Sequence, residues 1–210
     1  MIGPSSSHTA GAVRIGRVGL KILGEKAAKA DIGLAGSFAQ TYKGHGTDKA
    51  LVAGILGMKP DDERIPRSFE VALGEGLCYS FSEIKLTHAH PNTAVLHLTG
   101  VNGTECTVQG VSVGGGNILI TQLNGMDSVF SGDQDTLIIA HNDTPGVIAS
   151  VALHLAEAGI NVGNFRLCRP HKGKLAIMTI EMDGGIEKPV IDEIKALPAI
   201  TSVIYMRETA

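Results

Sequence analysis

Apolar residues in the first eighty positions recur mostly at helical spacing. The period over Ala10–Leu23 predicts an amphipathic helix that ends at Gly24, because glycine readily adopts the left-handed conformation that closes a helix. Residues 31–38 are predicted to form a strand. Two further helices are predicted, one over residues 47–56 with Thr47 or Asp48 as its cap, and one that starts at Pro66 and runs through residues 68–79.

The period then changes from helical spacing to alternation. Residues 82–87, 94–99, 104–112 and 117–123 alternate between apolar and polar positions, as strands with one buried face do. Asn102-Gly103 and the run Gly114-Gly115-Gly116 separate the last three of them and are typical of tight turns. This half is therefore predicted to be an α+β domain, with helices first and an antiparallel sheet after them.

The second half has a simpler pattern. Strands are predicted over residues 136–140, 162–168, 175–182 and 200–206, and helices after Pro145 (stopped by Gly159) and over residues 189–197. This βαββαβ order is the ferredoxin-like arrangement. Residues 128–135 are polar enough to link the halves, so we predict two domains, residues 1–127 and 136–210.

Candidate chemistry is concentrated first in the opening string Gly3-Pro4-Ser5-Ser6-Ser7-His8-Thr9, at the head of the first predicted helix. Backbone N–H groups at a helix start are unsatisfied and suit a carboxylate or phosphate. The hydroxyls of the string add donors, and His8 adds a side chain that exchanges protons near neutral pH. The alternative is a cluster that only caps the helix, beside a surface histidine.

Two other loops of the first half are richer in polar groups than turns require. Lys43-Gly44-His45-Gly46-Thr47-Asp48 places a second histidine at the start of a second helix, with glycines that let a ligand approach the backbone; an ordinary glycine-rich connection is the alternative. His88-Ala89-His90-Pro91-Asn92 has two histidines on one side of an extended stretch. Without a nearby carboxylate or cysteine, a polar loop is favoured over a metal site.

In the second half, His141, Asn142 and Asp143 follow the first strand and Asn161 follows the first helix. These groups can bind the ammonium and carboxylate of an amino acid if the fold brings them together, either within one chain or with the same segment of a partner chain. Turn formation alone also explains Asn and Asp at such positions.

Composition excludes several function classes. A net charge of −3, with no basic run and no tryptophan, argues against binding to nucleic acid or to an anionic membrane. No apolar stretch reaches transmembrane length, and no signal peptide is found. The three cysteines, Cys78, Cys106 and Cys168, match no metal-binding spacing and fit a reducing compartment, so we expect a cytoplasmic protein without a cluster of its own.

Taken together, the opening string, the Gly44–Asp48 loop, His90-Pro91-Asn92 and the Gly114–Gly116 run resemble the beta chain of bacterial iron–sulfur L-serine dehydratase. Residues 136–210 resemble an ACT domain, an amino-acid-sensing module. The first half is also similar to the allosteric substrate-binding domain that accompanies ACT in some 3-phosphoglycerate dehydrogenases. The resemblance implies an L-serine ammonia-lyase that forms pyruvate and ammonia, active only with an alpha chain whose cysteines hold a [4Fe-4S] cluster as Lewis acid.

The same resemblance implies roles for individual residues. It implies that the substrate is oriented by four hydroxyl side chains, those of Ser5, Ser6, Ser7 and Thr9. It also implies that Thr47 and Asp48 hold the second loop and that protons move through His8 or His45. His141 and Asn161 match an effector site for serine, in which Asp143 stands where Asn is usual. Higher oligomers through the ACT domains are implied. A purely regulatory, amino-acid-binding subunit is the alternative function.

Overall fold

The computed structural model describes residues 7–207, and the chain divides into two compact units between Gly125 and Met126. Over the described range the chain forms six α-helices, one short 3₁₀ helix and ten strands in two sheets, so the predicted α+β class is confirmed. No helix within that range is both long and apolar enough to cross a membrane.

The first unit places its helices beside a mainly antiparallel sheet. Its strands lie in the order β2-β1-β3-β4-β5, and only the β1–β2 pair is parallel. The elements are α1 (Ala10–Leu23), β1 (Ala27–Ala35), α2 (Gly36–His45), α3 (Thr47–Ile55), a 3₁₀ helix (Ile65–Arg67), α4 (Ser68–Glu75), β2 (Cys78–Glu83), β3 (Thr93–Gly100), β4 (Glu105–Gly114) and β5 (Asn117–Leu123).

Helix α1 has the predicted bounds and forms the centre of the helical layer. Gly24 ends it with φ of 75°, and its N–H donates to the Leu20 carbonyl at 3.1 Å. One face packs on the sheet, where a Cβ at Gly19 would meet Leu96 at 2.9 Å. Another face packs on α3 so closely that a Cβ at Gly54 would lie 2.1 Å from the Val13 carbonyl oxygen. The small residues let the two helix backbones touch.

Three predictions for the first unit are wrong at their boundaries. The strand predicted over residues 31–38 runs over Ala27–Ala35, and helix α2 was not predicted at all. The chain turns at Gly36, whose φ of 57° favours glycine and whose Cα lies against Pro91. The helix predicted from Pro66 through Tyr79 ends at Glu75, because Gly76 closes it with φ of 74°. The strand predicted over residues 82–87 is instead β2, set by parallel pairing with β1.

After a first strand, β6, the second unit has the predicted βαββαβ order from β7 to β10, in a sheet with the strand order β10-β7-β9-β8. Its elements are β6 (Met126–Phe130), β7 (Asp135–Asn142), α5 (Val147–Glu157), β8 (Val162–Cys168), β9 (Leu175–Met182), α6 (Lys188–Lys195) and β10 (Ile200–Met206). Val147, Val151 and Leu155 are buried on one face of α5, as their helical spacing predicts, whereas Ala158, which continues that spacing, is exposed at the end of the helix. The linker predicted over residues 128–135 contains the end of β6, where the Ser128 and Thr179 hydroxyl oxygens lie 2.9 Å apart.

Candidate active site

The start of α1 is the centre of the candidate site. His8 and Thr9 are buried, with 8% and 4% of their surface exposed, and Ser7 is half-buried. Ser5 and Ser6, which the sequence also assigns to the site, lie outside the described residues. Thr9 is the N-cap of α1, but its side chain makes no capping hydrogen bond. The interpretation of this string as a cap is therefore wrong at the position where the cap would act.

His8 is held between two serine hydroxyls and two rings. Ser7 Oγ lies 3.3 Å from Nδ1 and Ser37 Oγ lies 3.4 Å from Nε2. The Phe38 ring packs edge-on with its centroid 5.2 Å away, and the His45 ring centroid lies at 4.8 Å. Burial lowers the pKa of His8, and the nearby His45 imidazole lowers it further. Both effects favour the neutral imidazole, which can accept a proton.

The junction between α2 and α3 brings the second loop to the first. His45 ends α2, Gly46 turns the chain with φ of 72°, and Thr47 starts α3. Gly46 is the N-cap, so the prediction that Thr47 or Asp48 caps this helix is wrong. Asp48 is buried, and one of its carboxylate oxygens accepts the Lys49 N–H at 2.8 Å. Burial raises the pKa of Asp48, partly opposed by that hydrogen bond.

The third loop supports the site as scaffold. Phe38 N–H donates to the Pro91 carbonyl at 3.2 Å, which ties this loop to the start of α2 beside His8. His90 is used locally, since its Nδ1 accepts the Asn92 N–H at 3.1 Å and its carbonyl accepts the Thr93 hydroxyl at 2.6 Å. Within residues 7–207, no group of three or more His, Cys, Asp or Glu side chains is arranged to hold a metal ion.

Ser112 is a site residue that sequence reasoning missed. It is fully buried at the end of β4, and a Cβ at Gly11 in the first turn of α1 would lie 2.2 Å from its Oγ. Its backbone N–H donates to the Asn92 carbonyl at 3.0 Å, so it also touches the third loop. The alternation of β4 could have indicated this residue. Every second residue of the strand faces α1, and Ser112 is the polar member of the set Val108, Gly110 and Ser112.

Three buried hydroxyls around the start of α1 have no hydrogen-bond partner among the described residues. They are Thr9 Oγ1, Thr47 Oγ1 and Ser112 Oγ. Burying a hydroxyl without a partner costs about 1–3 kcal/mol. Such an energetic cost is expected where a ligand supplies the missing hydrogen-bond partner. The N-termini of two helices, α1 and α3, lie beside these hydroxyls and favour a negatively charged ligand.

The glycine run also lies at this site. Gly114, Gly115 and Gly116 form the predicted turn between β4 and β5, all with positive φ. A Cβ at Gly116 would lie 3.4 Å from the Ala10 side chain, and the Gly116 carbonyl accepts a hydrogen bond from Arg14 at 3.2 Å. The run therefore packs against the first turn of α1, and its small residues leave room there.

A cleft of about 540 Å³ opens elsewhere in the first unit, at the C-terminal end of α1. It contains none of the predicted site residues, and its charged groups are already engaged. Lys26 pairs with Glu75 at 2.5 Å, and Glu25 accepts the Asn102 and Thr104 N–H groups. We therefore place the candidate site at the start of α1, where buried hydroxyls lack partners in the part of the chain that the structure describes.

The candidate effector residues of the second unit fall into two groups. His141 is fully buried, donates from Nδ1 to the Asn142 carbonyl at 3.0 Å, and has an Nε2 without a partner among the described residues. Asp143 accepts the Gly173 N–H at 2.8 Å, and this bond, with Arg169 nearby, lowers the pKa of Asp143. These two residues lie at one end of β7.

Asn161 lies at the other end of the same sheet. Its side-chain amide donates to Asp183 at 2.6 Å, just beyond the end of β9. The pairing register sets Met182 opposite Asp135 and Leu175 opposite Asn142, so the length of β9 separates Asn161 from His141. At about 3.4 Å per residue this is roughly 20 Å, too far for one amino acid to touch both within one unit.

The cysteines do not fit an iron–sulfur cluster, which needs several thiolates around one centre. Cys78 is exposed on β2 and Cys106 is buried on β4, with β1 and β3 between these strands. Burial raises the pKa of the Cys106 thiol to about 11, which disfavours the thiolate that binds iron. Cys168 belongs to the second unit.

Comparison with known proteins identifies the family of this chain. The family model described as "Serine dehydratase beta chain" matches residues 1–76, which include the starts of α1 and α3. L-serine dehydratase 2 of Escherichia coli is 26% identical over 228 residues, which cover 91% of this chain and 48% of that protein.

Two relatives match over most of their length. The probable L-serine dehydratase beta chain of Bacillus subtilis is 44% identical over 203 residues, covering 97% of this chain and 92% of the relative. The L-serine dehydratase beta chain of Peptoniphilus asaccharolyticus is 39% identical over 197 residues, covering 93% and 87%. On these matches, the chain belongs to the L-serine dehydratase beta-chain family.

Proposed function

We propose that this chain is the beta subunit of an L-serine ammonia-lyase that converts L-serine to pyruvate and ammonia. A [4Fe-4S] cluster carried by an alpha subunit would supply Lewis-acid chemistry at the serine hydroxyl. The observation that carries the proposal is the pair of imidazoles, His8 and His45, whose centroids lie 4.8 Å apart, beside buried hydroxyls that have no partner within residues 7–207. The proposal draws further support from the names of the relatives.

The reaction needs two proton movements. The Cα proton of serine is removed and its hydroxyl leaves with a proton as water; the resulting enamine tautomerises, and water then releases ammonia to leave pyruvate. A neutral imidazole is a suitable base for the first step, and a second one can donate to or accept from the departing groups. His8 and His45 are assigned to these steps jointly.

The remaining residues bind and orient. The serine carboxylate suits the unsatisfied N–H groups at the start of α1, together with the hydroxyls of the opening string and Thr9. Asp48 is assigned to hold the second loop, since its carboxylate accepts the Lys49 N–H. The Thr47 hydroxyl has no partner among the described residues, so it is assigned to binding instead. Ser112 Oγ is added to this set because it is buried against Gly11 without a partner among the described residues.

The length of the Escherichia coli relative supports a two-chain enzyme. That protein is named L-serine dehydratase 2, without mention of a beta chain, and this chain matches 48% of its length. The beta chain is thus expected to be inactive alone and to form a heterodimer with an alpha chain. The three free thiols are consistent with the cytoplasm, where we place the complex.

The test is anaerobic reconstitution of the full chain with the alpha chain of the same organism, followed by measurement of pyruvate from L-serine. His8→Ala is expected to lower kcat at least a hundredfold. His97→Ala removes an exposed histidine from β3 and is the control, with kcat expected within twofold of the unmodified complex. Unchanged activity in His8→Ala would remove His8 from the mechanism.

A second candidate function is amino-acid sensing by the second unit. It is favoured by the buried His141, whose Nε2 has no partner among the described residues, in a βαββαβ fold that resembles the ACT domain. Assembly through these units is supported by the exposed apolar side chains of Val162, Phe165 and Leu167 on strand β8. Calorimetry of the full chain with L-serine tests sensing: binding that Asn161→Ala abolishes supports an effector site, and no binding argues against it.

A further inference from the structure

Half of the aromatic side chains in this chain gather in one place. The sequence has five phenylalanines, three tyrosines and no tryptophan. Four of these eight form what we call the aromatic surface: Tyr42, Phe69, Tyr79 and Phe81. Neighbouring ring centroids lie 5.0 Å apart for Phe69–Tyr79, 5.7 Å for Tyr42–Phe81 and 5.9 Å for Tyr79–Phe81. An aromatic-poor protein thus concentrates its rings outside its core.

The aromatic surface lies at an open edge of the sheet. Tyr79 and Phe81 come from β2, which has β1 as its single partner in the described sheet; Tyr42 comes from α2 and Phe69 from α4. All four side chains are half-buried. Leu73, one turn after Phe69 on α4, is 84% exposed. Contiguous half-exposed aromatic and aliphatic groups are typical of protein–protein interfaces and are rare on surfaces that face only water.

A small hole opens in the aromatic surface. It has a volume of about 120 Å³ and is lined by Leu34, Ala39, Tyr42, Phe81, Ser82 and Glu83. A cavity of roughly 150 Å³ holds one benzene molecule, so this hole has the size of one branched aliphatic or small aromatic side chain. Pockets of this kind receive the anchoring residues of a partner at the centre of an interface.

The aromatic surface adjoins the candidate active site. Tyr42 and His45 are three residues apart on α2 and are neighbours on the surface of that helix. Tyr79 lies close enough to Asp48 for the carboxylate to raise the pKa of the tyrosine, after the larger effect of burial. A chain that contacts the exposed His45 would therefore lie next to Tyr42, so the aromatic surface is continuous with the candidate site.

We propose that the aromatic surface docks the alpha chain of the dehydratase, with one apolar side chain of that subunit in the hole between Tyr42 and Phe81. The inference rests on the proposed function, because that function requires a second chain at His45. A second copy of this chain is the weaker occupant, since it would cover the side of α2 from which the alpha chain must reach the site.

Two variants test the proposal without disturbing the core. Ala39→Leu fills the hole from within helix α2, and Leu73→Glu places a charge on the most exposed leucine of the surface. The matched controls lie on α5 of the second unit: Ala156→Leu adds the same side chain at an exposed helical position, and Leu153→Glu replaces a leucine that is 56% exposed. Circular dichroism melting verifies that all four chains fold.

Association with the cluster-loaded alpha chain is measured anaerobically by calorimetry, and serine turnover is measured as a function of alpha-chain concentration. We expect Kd to rise at least tenfold for Ala39→Leu and for Leu73→Glu, and to stay within twofold for the controls. At saturating alpha chain, kcat should return to the unmodified value, because His8 and His45 are intact.

An unchanged Kd in both variants overturns the docking proposal and leaves the proposed function standing if the unmodified complex makes pyruvate. The proposal is also overturned if the two variants lose self-association, measured by ultracentrifugation without alpha chain, while their Kd for the alpha chain is unchanged. That result would assign the surface to a second copy of this chain. If the unmodified chain binds the alpha chain but the complex makes no pyruvate, the proposed function fails. The Kd values of the variants would still decide whether the aromatic surface docks the alpha chain.

Discussion

The imidazole rings of His8 and His45 lie 4.8 Å apart, one just before α1 and the other at the end of α2. Burial lowers the pKa of His8, and the nearby His45 imidazole lowers it further. The folded protein thus favours the neutral form of His8, which can accept a proton, at a cost in stability when the solution becomes acidic.

This coupling predicts a pH dependence of stability. Because the folded protein depresses the pKa of His8, the unfolded chain binds a proton there more readily, and stability falls as the pH drops through the ordinary histidine value of about 6.5. His8→Gln should therefore lose less stability than the unmodified chain between about pH 7.5 and 5.5. Urea unfolding at both pH values measures the difference, with His97→Gln as the control for loss of an imidazole. Parallel losses in the His8 variant and the unmodified chain would contradict the prediction.

The contact between α1 and α3 predicts contrasting effects of two glycine substitutions. A Cβ at Gly54 would lie 2.1 Å from the Val13 carbonyl oxygen, so Gly54→Ala must push the helices apart and should cost about 1–3 kcal/mol of unfolding free energy. A Cβ at Gly74 in α4 would meet no atom within 4 Å, so Gly74→Ala should add about 0.5–1 kcal/mol. Chemical denaturation measures both, and a Gly54→Ala chain as stable as the original would refute the close packing.

The unpartnered hydroxyl of Ser112 predicts a separation between stability and function. Ser112→Ala removes a buried group that lacks a partner among the described residues, so stability should stay unchanged or rise by about 1 kcal/mol. If the hydroxyl binds substrate, KM for serine in the reconstituted complex should rise about tenfold. Ser128→Ala is the matched control: its hydroxyl is paired with Thr179 at 2.9 Å, so its loss should cost about 1 kcal/mol. Unchanged kinetic constants in Ser112→Ala would exclude the residue from the site.

The distance between His141 and Asn161 predicts complementation between chains. One serine molecule cannot touch both residues of a single unit, so an effector site that uses both needs two copies. His141→Ala chains and Asn161→Ala chains should each fail to bind serine, whereas an equimolar mixture that assembles at random should recover about a quarter of the sites of the unmodified protein. Calorimetry after co-refolding measures this recovery. Binding by either variant alone would show that the two residues do not share a ligand.

Patterns local in sequence determined much of this protein. The bounds of α1 and the order of the second unit followed from apolar periodicity and from glycines that close helices, because such signals act within a few residues. The polar strings also marked His8 and His45 as candidates. Tertiary structure decided what depends on distant contacts: helix α2 starts where Pro91 packs on Gly36, and β2 forms by pairing with β1. Ser112 joins the site, and four rings gather at the sheet edge, because strands and helices far apart along the chain meet there. No local pattern encodes such meetings, since they are set by which elements pack together.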